Sequence, residues 1–170
     1  MRKGQVAGQI FIYIMAVIVV GGIALIGYSA IKGIVSKSCD AEKLTFKSDM
    51  ESLIEKYTSY GSVNNKVITA PCDYDTVCFV DSSKMGTELT LCATNNIIKD
   101  SIRVGSSDGS SKNIFVISGG KTIGIGYSSL ISLPLAQQNN CTCIKQRNKN
   151  FYITFNGKGS SAEISPYTPG

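Results

Sequence analysis

The residues best suited to chemistry in this chain of 170 residues are six cysteines, and no histidine accompanies them. The absence of histidine excludes His-dependent catalytic triads, histidine metal sites and switches that titrate near neutral pH. Two lysine motifs, three neighbouring aspartates and one glycosylation sequence complete the candidates.

The lysine motifs are incomplete phosphate-binding loops. Residues 120–122 (Gly-Lys-Thr) match the end of a P-loop, but that motif requires a glycine five positions before its Gly-Lys pair, where Phe115 stands. Residues 157–160 (Gly-Lys-Gly-Ser) fail in the same way, with Tyr152 at the required position. Both stretches are typical of turns. Since no motif identifies a nucleophile, we expect no catalytic residue.

Oxygen ligands for Ca²⁺ could come from Asp73, Asp75 and Asp81. They lack the glycine-spaced loop and the bidentate glutamate that accompany such a site, so a solvated turn is the simpler interpretation. Asn140 begins an Asn-Cys-Thr sequence, which is an acceptor for N-glycosylation. A disulfide at Cys141 would restrict access to it, and the sequence leaves its occupancy open.

A long apolar segment lies near the N-terminus. Residues 4–31, 28 positions, contain no charged side chain, and residues 10–28 are almost wholly apolar. A helix needs about 20 apolar residues to cross the roughly 30 Å hydrocarbon core of a bilayer. Arg2 and Lys3 precede the segment, and this placement predicts a cytoplasmic N-terminus with the remainder of the chain outside.

Three kinds of segment compete for this stretch. A secretory signal peptide has an apolar region of about 7–15 residues and a small-x-small cleavage site, whereas this run is longer and no Ala-x-Ala site ends it. A plain signal anchor fits both its length and its flanks. The third interpretation follows from the order of the residues: a short basic leader at 1–4 (Met-Arg-Lys-Gly), a polar stretch at 5–9 (Gln-Val-Ala-Gly-Gln), and then the apolar run.

This order resembles the class III signal of type IV pilins, and of archaeal pilin-like proteins in particular. The resemblance covers residues 1–35, and residues 151–160 are similar, less specifically, to the C-terminal end of small archaeal pilin-like proteins. It implies that a prepilin peptidase recognises Arg2 and Lys3 and cleaves between Gly4 and Gln5. The apolar helix then stays on the mature protein.

The same resemblance implies assembly of the mature helix in a surface filament, with copies of itself or with other pilins, through a pilus assembly platform. Gln9 stands at the fifth mature position, where bacterial relatives usually carry a glutamate. Gly21 and Gly22 are small positions that let helices approach closely, although each weakens the helix by about 1 kcal/mol relative to alanine. We expect the precursor in the cytoplasmic membrane and the mature form on the cell surface.

The residues after the apolar segment predict a second helical stretch followed by strands. Apolar side chains recur there at the i, i+3, i+4 and i+7 spacing of a helix that packs on a core: Met50, Leu53, Ile54 and Tyr57. Ser48 and Glu51 form a capping box at its start. Residues 44–47 could be an extended link, so the sequence leaves open whether the two helices are continuous.

Strand patterns and turn signals follow. Strands are predicted at residues 66–69, 77–80 and 87–92, and a Gly/Ser loop at 105–111. Two hairpins are predicted, one from residues 113–118 and 121–127 around Gly119 and Gly120, and one from residues 142–145 and 151–155.

All six cysteines follow the apolar segment, and an even number outside the cell predicts disulfides: Cys39, Cys72, Cys78, Cys92, Cys141 and Cys143. Six cysteines allow 15 pairings. We expect Cys72 to pair with Cys78 or Cys92, because the three lie on neighbouring predicted strands. Cys141 and Cys143 lie on one strand face, which predicts different partners. The alternative, a metal site, is weakly supported by Cys-x-Cys alone.

The sequence thus predicts an α+β protein with a leader at residues 1–4, a hydrophobic transmembrane or filament-core helix at 5–35 and an extracellular head at 36–170. The head is expected to contain a short helix and a mostly antiparallel sheet stabilised by disulfides. The expected function is that of a pilin-like structural subunit, major or minor, whose head serves adhesion or surface contacts. The alternative is a single-pass anchored binding domain that does not polymerise.

The charge balance bears on partners. The net charge is +5, and loss of Arg2 and Lys3 with the leader leaves 15 basic against 12 acidic residues, a charge of +3. A balance this mild gives no reason to expect a nucleic-acid partner. We expect no enzyme activity, no cofactor and no metal.

Overall fold

The structure, a computed structural model, describes residues 4–85, 100, 102, 112–134 and 140–169. The chain divides into two compact units, Met1–Ala41 and Glu42–Gly170. The second unit is called the head below. The strand predicted at residues 87–92 and the loop predicted at 105–111 lie outside the described residues.

One helix, α1, runs from Gly4 to Lys56. It answers the open question about continuity, because residues 44–47 lie inside it and the predicted second helix is its C-terminal part. Phe46 explains why the link is helical: it lies one turn before Met50, and both side chains are buried, with 3% and 0% exposure. Since Ser48 and Glu51 fall within α1, they do not cap a helix start.

Eight strands follow α1 in the described part of the head, and they form two four-stranded sheets. Sheet A has the order β1-β7-β8-β5 and sheet B the order β4-β3-β2-β6. Neighbouring strands are antiparallel except for the parallel pair β5–β8. The α+β class and the mostly antiparallel pairing are therefore confirmed. The strands are β1 Val63–Thr69, β2 Thr76–Val80, β3 Ile114–Ser118, β4 Lys121–Gly126, β5 Ile131–Ser132, β6 Cys141–Lys145, β7 Asn150–Gly157 and β8 Ala162–Pro166.

The first predicted hairpin is confirmed. Strands β3 and β4 pair in antiparallel register, with Ser118 opposite Lys121. Gly119 and Gly120 between them have φ angles of 53° and 79°. Positive φ at both central residues is the requirement of a two-residue I′ turn, which glycine meets without steric cost.

The second predicted hairpin is wrong, because its two strands belong to different sheets. Strand β6 pairs with β2, whereas β7 pairs with β1 and β8. Between them, only Arg147 and Asn150 face each other, through two backbone hydrogen bonds of 2.8 and 3.0 Å. The turn itself is tight, and the strands then diverge. Contacts distant in sequence decide their partners: β6 is bonded to β2 by a disulfide, and β7 packs on α1.

The core of the head lies between sheet A and the C-terminal part of α1. Met50, Ile54 and Tyr57 are buried as the helical spacing predicts, and Leu53 is half-buried. Phe46 contacts Phe151 of β7 with ring centroids 5.8 Å apart, and Tyr57 contacts Phe155 at 6.0 Å. A second buried cluster lies on sheet B: Cys78, Val80, Ile102, Phe115, Ile117 and Cys141.

Candidate functional site

The junction predicted for cleavage lies where α1 begins. Gly4 is the first residue of the helix and Gln5 the second, while Arg2 and Lys3 lie outside the described residues. The backbone of Gln5 and of Gln9 is helical. The polar stretch after the junction therefore belongs to the same helix as the apolar run.

The large apolar side chains of α1 from Ile10 to Ile34 are exposed on every side of the helix. Consecutive residues from Ile10 to Met15 are each at least 48% exposed, and Ile26 reaches 74%. The most apolar stretch has a mean hydropathy of 2.7, and none of it is buried. Among the described residues, α1 is the one helix long and apolar enough to cross a membrane. A helix that is apolar all round needs lipid or other protein around it.

Four glycines of α1 have open space around them within the chain. A Cβ atom added at Gly21, Gly22, Gly27 or Gly33 would meet nothing within 4 Å. Packing within the chain therefore does not require glycine at any of the four. Each nevertheless weakens the helix by about 1 kcal/mol relative to alanine.

The disulfides include Cys39–Cys72 and Cys78–Cys143. The expected pairing of Cys72 with Cys78 or Cys92 is therefore wrong. Cys72 lies in the turn before β2, with φ at 51°. Its backbone N–H donates to Oε2 of Glu42 at 2.7 Å, so this turn lies against α1 and not against the next strand.

The expectation that Cys141 and Cys143 have different partners is confirmed. Cys143 lies directly opposite Cys78 in the β2–β6 register, with Cα atoms 4.1 Å apart. Cys141 lies opposite Val80 and is disulfide-bonded as well. Cys92 lies outside the described residues.

The three aspartates do not converge. Asp73 and Asp75 are exposed, whereas Asp81 is buried with 7% exposure. Oδ1 of Asp81 accepts hydrogen bonds from the backbone N–H of Ser83 at 2.9 Å and from its hydroxyl at 2.6 Å. Oδ2 accepts from the backbone N–H of Leu133 at 3.2 Å. Asp81 thus caps the 3-10 helix Ser82–Lys84 and binds it to the segment after β5.

The part of the chain that the structure describes contains no group of three or more Cys, Asp or Glu side chains placed to hold a metal ion. The two lysine motifs lie at connections between strands. Lys121 opens β4 directly after the Gly119–Gly120 turn. Lys158 lies between β7 and β8, where its Nζ is 3.3 Å from Oε1 of Glu163.

Asn140 directly precedes β6 and is partly buried. Its carbonyl oxygen accepts a hydrogen bond of 3.0 Å from the backbone N–H of Asp81. The glycosylation sequence therefore begins where β6 is joined to the end of β2, beside the disulfide-bonded Cys141.

The fold changes the acidity of Tyr57, which directly follows α1. Its ring lies 5.2 Å from Nζ of Lys66 and 5.6 Å from Nζ of Lys56. The hydrogen bond with Lys66 lowers the pKa of the Tyr57 hydroxyl, burial opposes this, and the positive charges of Lys66 and Lys56 lower the pKa further.

Two residues have structural roles that differ from their predicted ones. Phe46 falls in the predicted link, although its spacing of four residues before Met50 fits the same helical stripe. Asp81 is predicted as a possible metal ligand, although an aspartate followed by two serines is also a capping signal.

Comparison of this chain with protein-family models, with curated proteins and with solved structures finds no match.

Proposed function

We propose that this chain is a structural subunit, without enzyme activity, of a type IV pilus-like filament on the cell surface. Prepilin peptidase removes residues 1–4, and the assembly platform transfers the subunit from the membrane to the filament. The observation that carries the proposal is the N-terminal part of α1, whose large apolar side chains are all exposed from Ile10 to Ile34.

The charge-free segment is longer than a membrane crossing requires, which supports transfer of the helix from the bilayer to a filament. Its 28 residues span about 42 Å as a helix at 1.5 Å per residue, against roughly 30 Å of hydrocarbon. Gln5 and Gln9 are costly for a helix whose only surroundings are lipid. A helix that leaves the bilayer for a bundle of like helices has polar partners available.

The glycines of α1 support close packing between the helices of neighbouring subunits. Gly21 and Gly22 weaken α1, and no contact within the subunit compensates for them. Small residues let neighbouring helices approach closely in an apolar setting, where van der Waals contact and not water release drives association. We therefore assign Gly21 and Gly22 to contacts between subunits.

The disulfides support an external head. Cys78–Cys143 and Cys39–Cys72 join segments distant in sequence. Such bonds persist in oxidising surroundings outside the cytoplasm. With the basic leader inside, the head lies outside, first at the membrane and then on the filament.

Replacement of Gly4 by leucine tests the proposal in the native cells. We expect Gly4→Leu to block cleavage, so that the precursor accumulates in the membrane and electron microscopy shows no filaments that contain the subunit. Gly8→Leu is the matched control for the cleavage step, because no basic residue directly precedes that position, and it leaves processing intact.

The second candidate is a single-pass anchored binding domain, which an exposed apolar helix joined to a separate head also fits. In that case the wild-type chain keeps its leader and never enters a filament. Wild-type subunits that stay in the membrane, or filaments built from uncleaved Gly4→Leu subunits, would reject the filament proposal.

A further inference from the structure

The outward side of sheet A forms a regular grid of side chains, called the outer face below. Alternate residues of β7 are buried, among them Phe151, Ile153 and Phe155, so the residues between them point away from the core. The strand register aligns these with residues of β1 and β8 in four rows. The rows are Val63, Asn156 and Glu163; Asn65, Thr154 and Ser165; Val67, Tyr152 and Tyr167; and Thr69 with Asn150.

The outer face carries almost no charge. Glu163 is its one ionisable carboxylate, and that group is engaged, since its Oε1 lies 3.3 Å from Nζ of Lys158 and 3.3 Å from Nδ2 of Asn156. The whole chain, in contrast, has 17 basic and 12 acidic residues. A face of this kind has no attraction for a polyanion or for a strongly acidic or basic protein.

The third row is an apolar strip across three strands. Val67 is 58% exposed and lies opposite Tyr152. Tyr167 follows β8, and its backbone N–H donates to the carbonyl oxygen of Tyr152 at 3.0 Å. The two tyrosine rings are tilted, with centroids 6.4 Å apart. Among the described residues, neither tyrosine hydroxyl has a hydrogen-bond partner.

Fixed amides and hydroxyls flank the strip on both sides. In the second row, the Thr154 hydroxyl donates to Oδ1 of Asn65 at 2.8 Å. In the fourth row, the Thr69 hydroxyl donates to Oδ1 of Asn150 at 3.4 Å. These cross-strand bonds hold the polar groups in place. An apolar strip with a hydrogen-bonding border on each side is the result.

The size of the outer face limits its partner. Three strands about 4.8 Å apart and seven residues at about 3.3 Å each give a footprint of about 14 by 23 Å. That is roughly 320 Å², well below the roughly 800 Å² per partner of a stable protein–protein interface. A second copy of this head, or another globular protein, would need more surface than the outer face offers.

We propose that the outer face binds a neutral polysaccharide, with its sugar rings stacked along the strip of Val67, Tyr152 and Tyr167. A pyranose ring has apolar C–H faces, which suit the tyrosine rings, and a rim of uncharged hydroxyls, which suit the flanking amides and hydroxyls. The inference deepens the proposed role of the head in surface contacts. It does not depend on filament assembly.

Affinity electrophoresis of the full-length protein in neutral detergent tests this inference, with mannan and dextran as neutral probes and alginate as an acidic one. We expect a neutral probe to retard the protein to the same extent at low and high salt. Tyr152→Ala with Tyr167→Ala should weaken that retardation by about tenfold, because aromatic contacts contribute on the order of one such step in affinity. Tyr60→Ala with Tyr127→Ala is the matched control, since these exposed tyrosines lie outside the grid, and it should bind as the wild type does.

A second variant protects the test against a folding defect. Asn65→Asp keeps the oxygen that accepts from Thr154 but places a charge beside the strip, and it should weaken retardation by the neutral probe as well. The proposal is overturned if neither neutral probe retards the wild type, if both tyrosine pairs lose binding equally, or if alginate binds better in a salt-sensitive way. It is also overturned if the tyrosine variants alter only self-association, since the occupant would then be a second copy. Leader cleavage is measured in a different experiment, so a failure to bind polysaccharide would not contradict the filament proposal.

Discussion

The fold of the head leaves no room for a side chain at Gly157. This residue ends β7, and its backbone N–H donates to the carbonyl oxygen of Ser62 at 2.8 Å while its own carbonyl accepts from Gly61 at 3.1 Å. A Cβ atom there would collide with the carbonyl oxygen of Ser59. These bonds fix the end of β7 to the turn that follows α1.

Gly157→Ala should therefore destabilise the head by about 2–3 kcal/mol, the cost of forcing an extra carbon into packed structure. Chemical denaturation of the full-length chain in neutral detergent measures it. Ser160→Ala, an exposed change in the same β7–β8 connection, should stay within about 0.5 kcal/mol of the wild type. Equal stability of the two variants would show that the backbone shifts aside at little cost.

Lys66 should control the ionisation of Tyr57. The lowered pKa of the Tyr57 hydroxyl means that its phenolate forms at lower pH than that of an ordinary tyrosine. Any stability from this ionisation is present above the ordinary tyrosine pKa, near 10, and is lost as the pH falls through the folded-state value.

Lys66→Gln should raise the Tyr57 pKa, and Lys56→Gln should raise it less, because Lys56 contributes charge but no hydrogen bond. A pH titration followed by NMR measures both shifts. A larger effect of Lys56→Gln would contradict the assignment.

At the scale of elements, the disulfide between β2 and β6 should be a major contributor to the stability of sheet B. It closes a loop with a sequence separation of 65, for which loss of loop-closure entropy predicts a contribution of about 4 kcal/mol. Cys78→Ala with Cys143→Ala should lower the free energy of unfolding by about that amount in chemical denaturation. Lys145→Gln, exposed on the same strand, serves as the control. A loss below about 1 kcal/mol would mean that the denatured chain gains little freedom when the bond is absent.

Replacement of the glycines in the N-terminal part of α1 should stabilise the helix itself but prevent filament assembly. Gly21→Leu with Gly22→Leu meets no obstacle inside the subunit and should strengthen the helix by about 1 kcal/mol per residue. Filament assembly should nevertheless be lost, since leucine keeps neighbouring helices apart. Electron microscopy shows whether filaments form, membrane fractionation shows whether the variant protein still reaches the membrane, and Val20→Leu is the control. Normal filaments from the double variant would exclude close packing at these glycines.

The sequence predicted those elements whose signals are local. The stripe of Met50, Ile54 and Tyr57 needs only helical spacing, and the β3–β4 hairpin needs only Gly119 and Gly120 between two apolar strands. Pairings between distant segments were not predictable in this way. The partner of Cys72 depends on a turn that packs against Glu42. The partners of β6 and β7 depend on which sheet each strand completes, and the local turn at Arg147 does not reveal it.

The outer face likewise could not be predicted from the sequence, because it combines distant segments. Its four rows combine residues 63–69, 150–156 and 163–167, which become neighbours only through the register of β1, β7 and β8. No motif in any one of these stretches indicates a binding surface. The junction proposed for cleavage is the opposite case, because its basic residues, small residue and apolar run lie within one short stretch of sequence.

At the scale of the whole molecule, the two units differ in the residues that they expose and bury. The N-terminal unit presents apolar side chains that water cannot satisfy, and the head has its own core, two sheets and disulfides. We infer that the first drives assembly in an apolar setting and the second remains outside. Two of the positive charges, Arg2 and Lys3, lie in the proposed leader.

The intact mass of the wild-type chain isolated from its native cells tests this account most directly. Cleavage between Gly4 and Gln5 predicts a mature protein that lacks residues 1–4 and begins at Gln5, with the cysteines oxidised. A chain that still begins at Met1 would contradict the filament-subunit account.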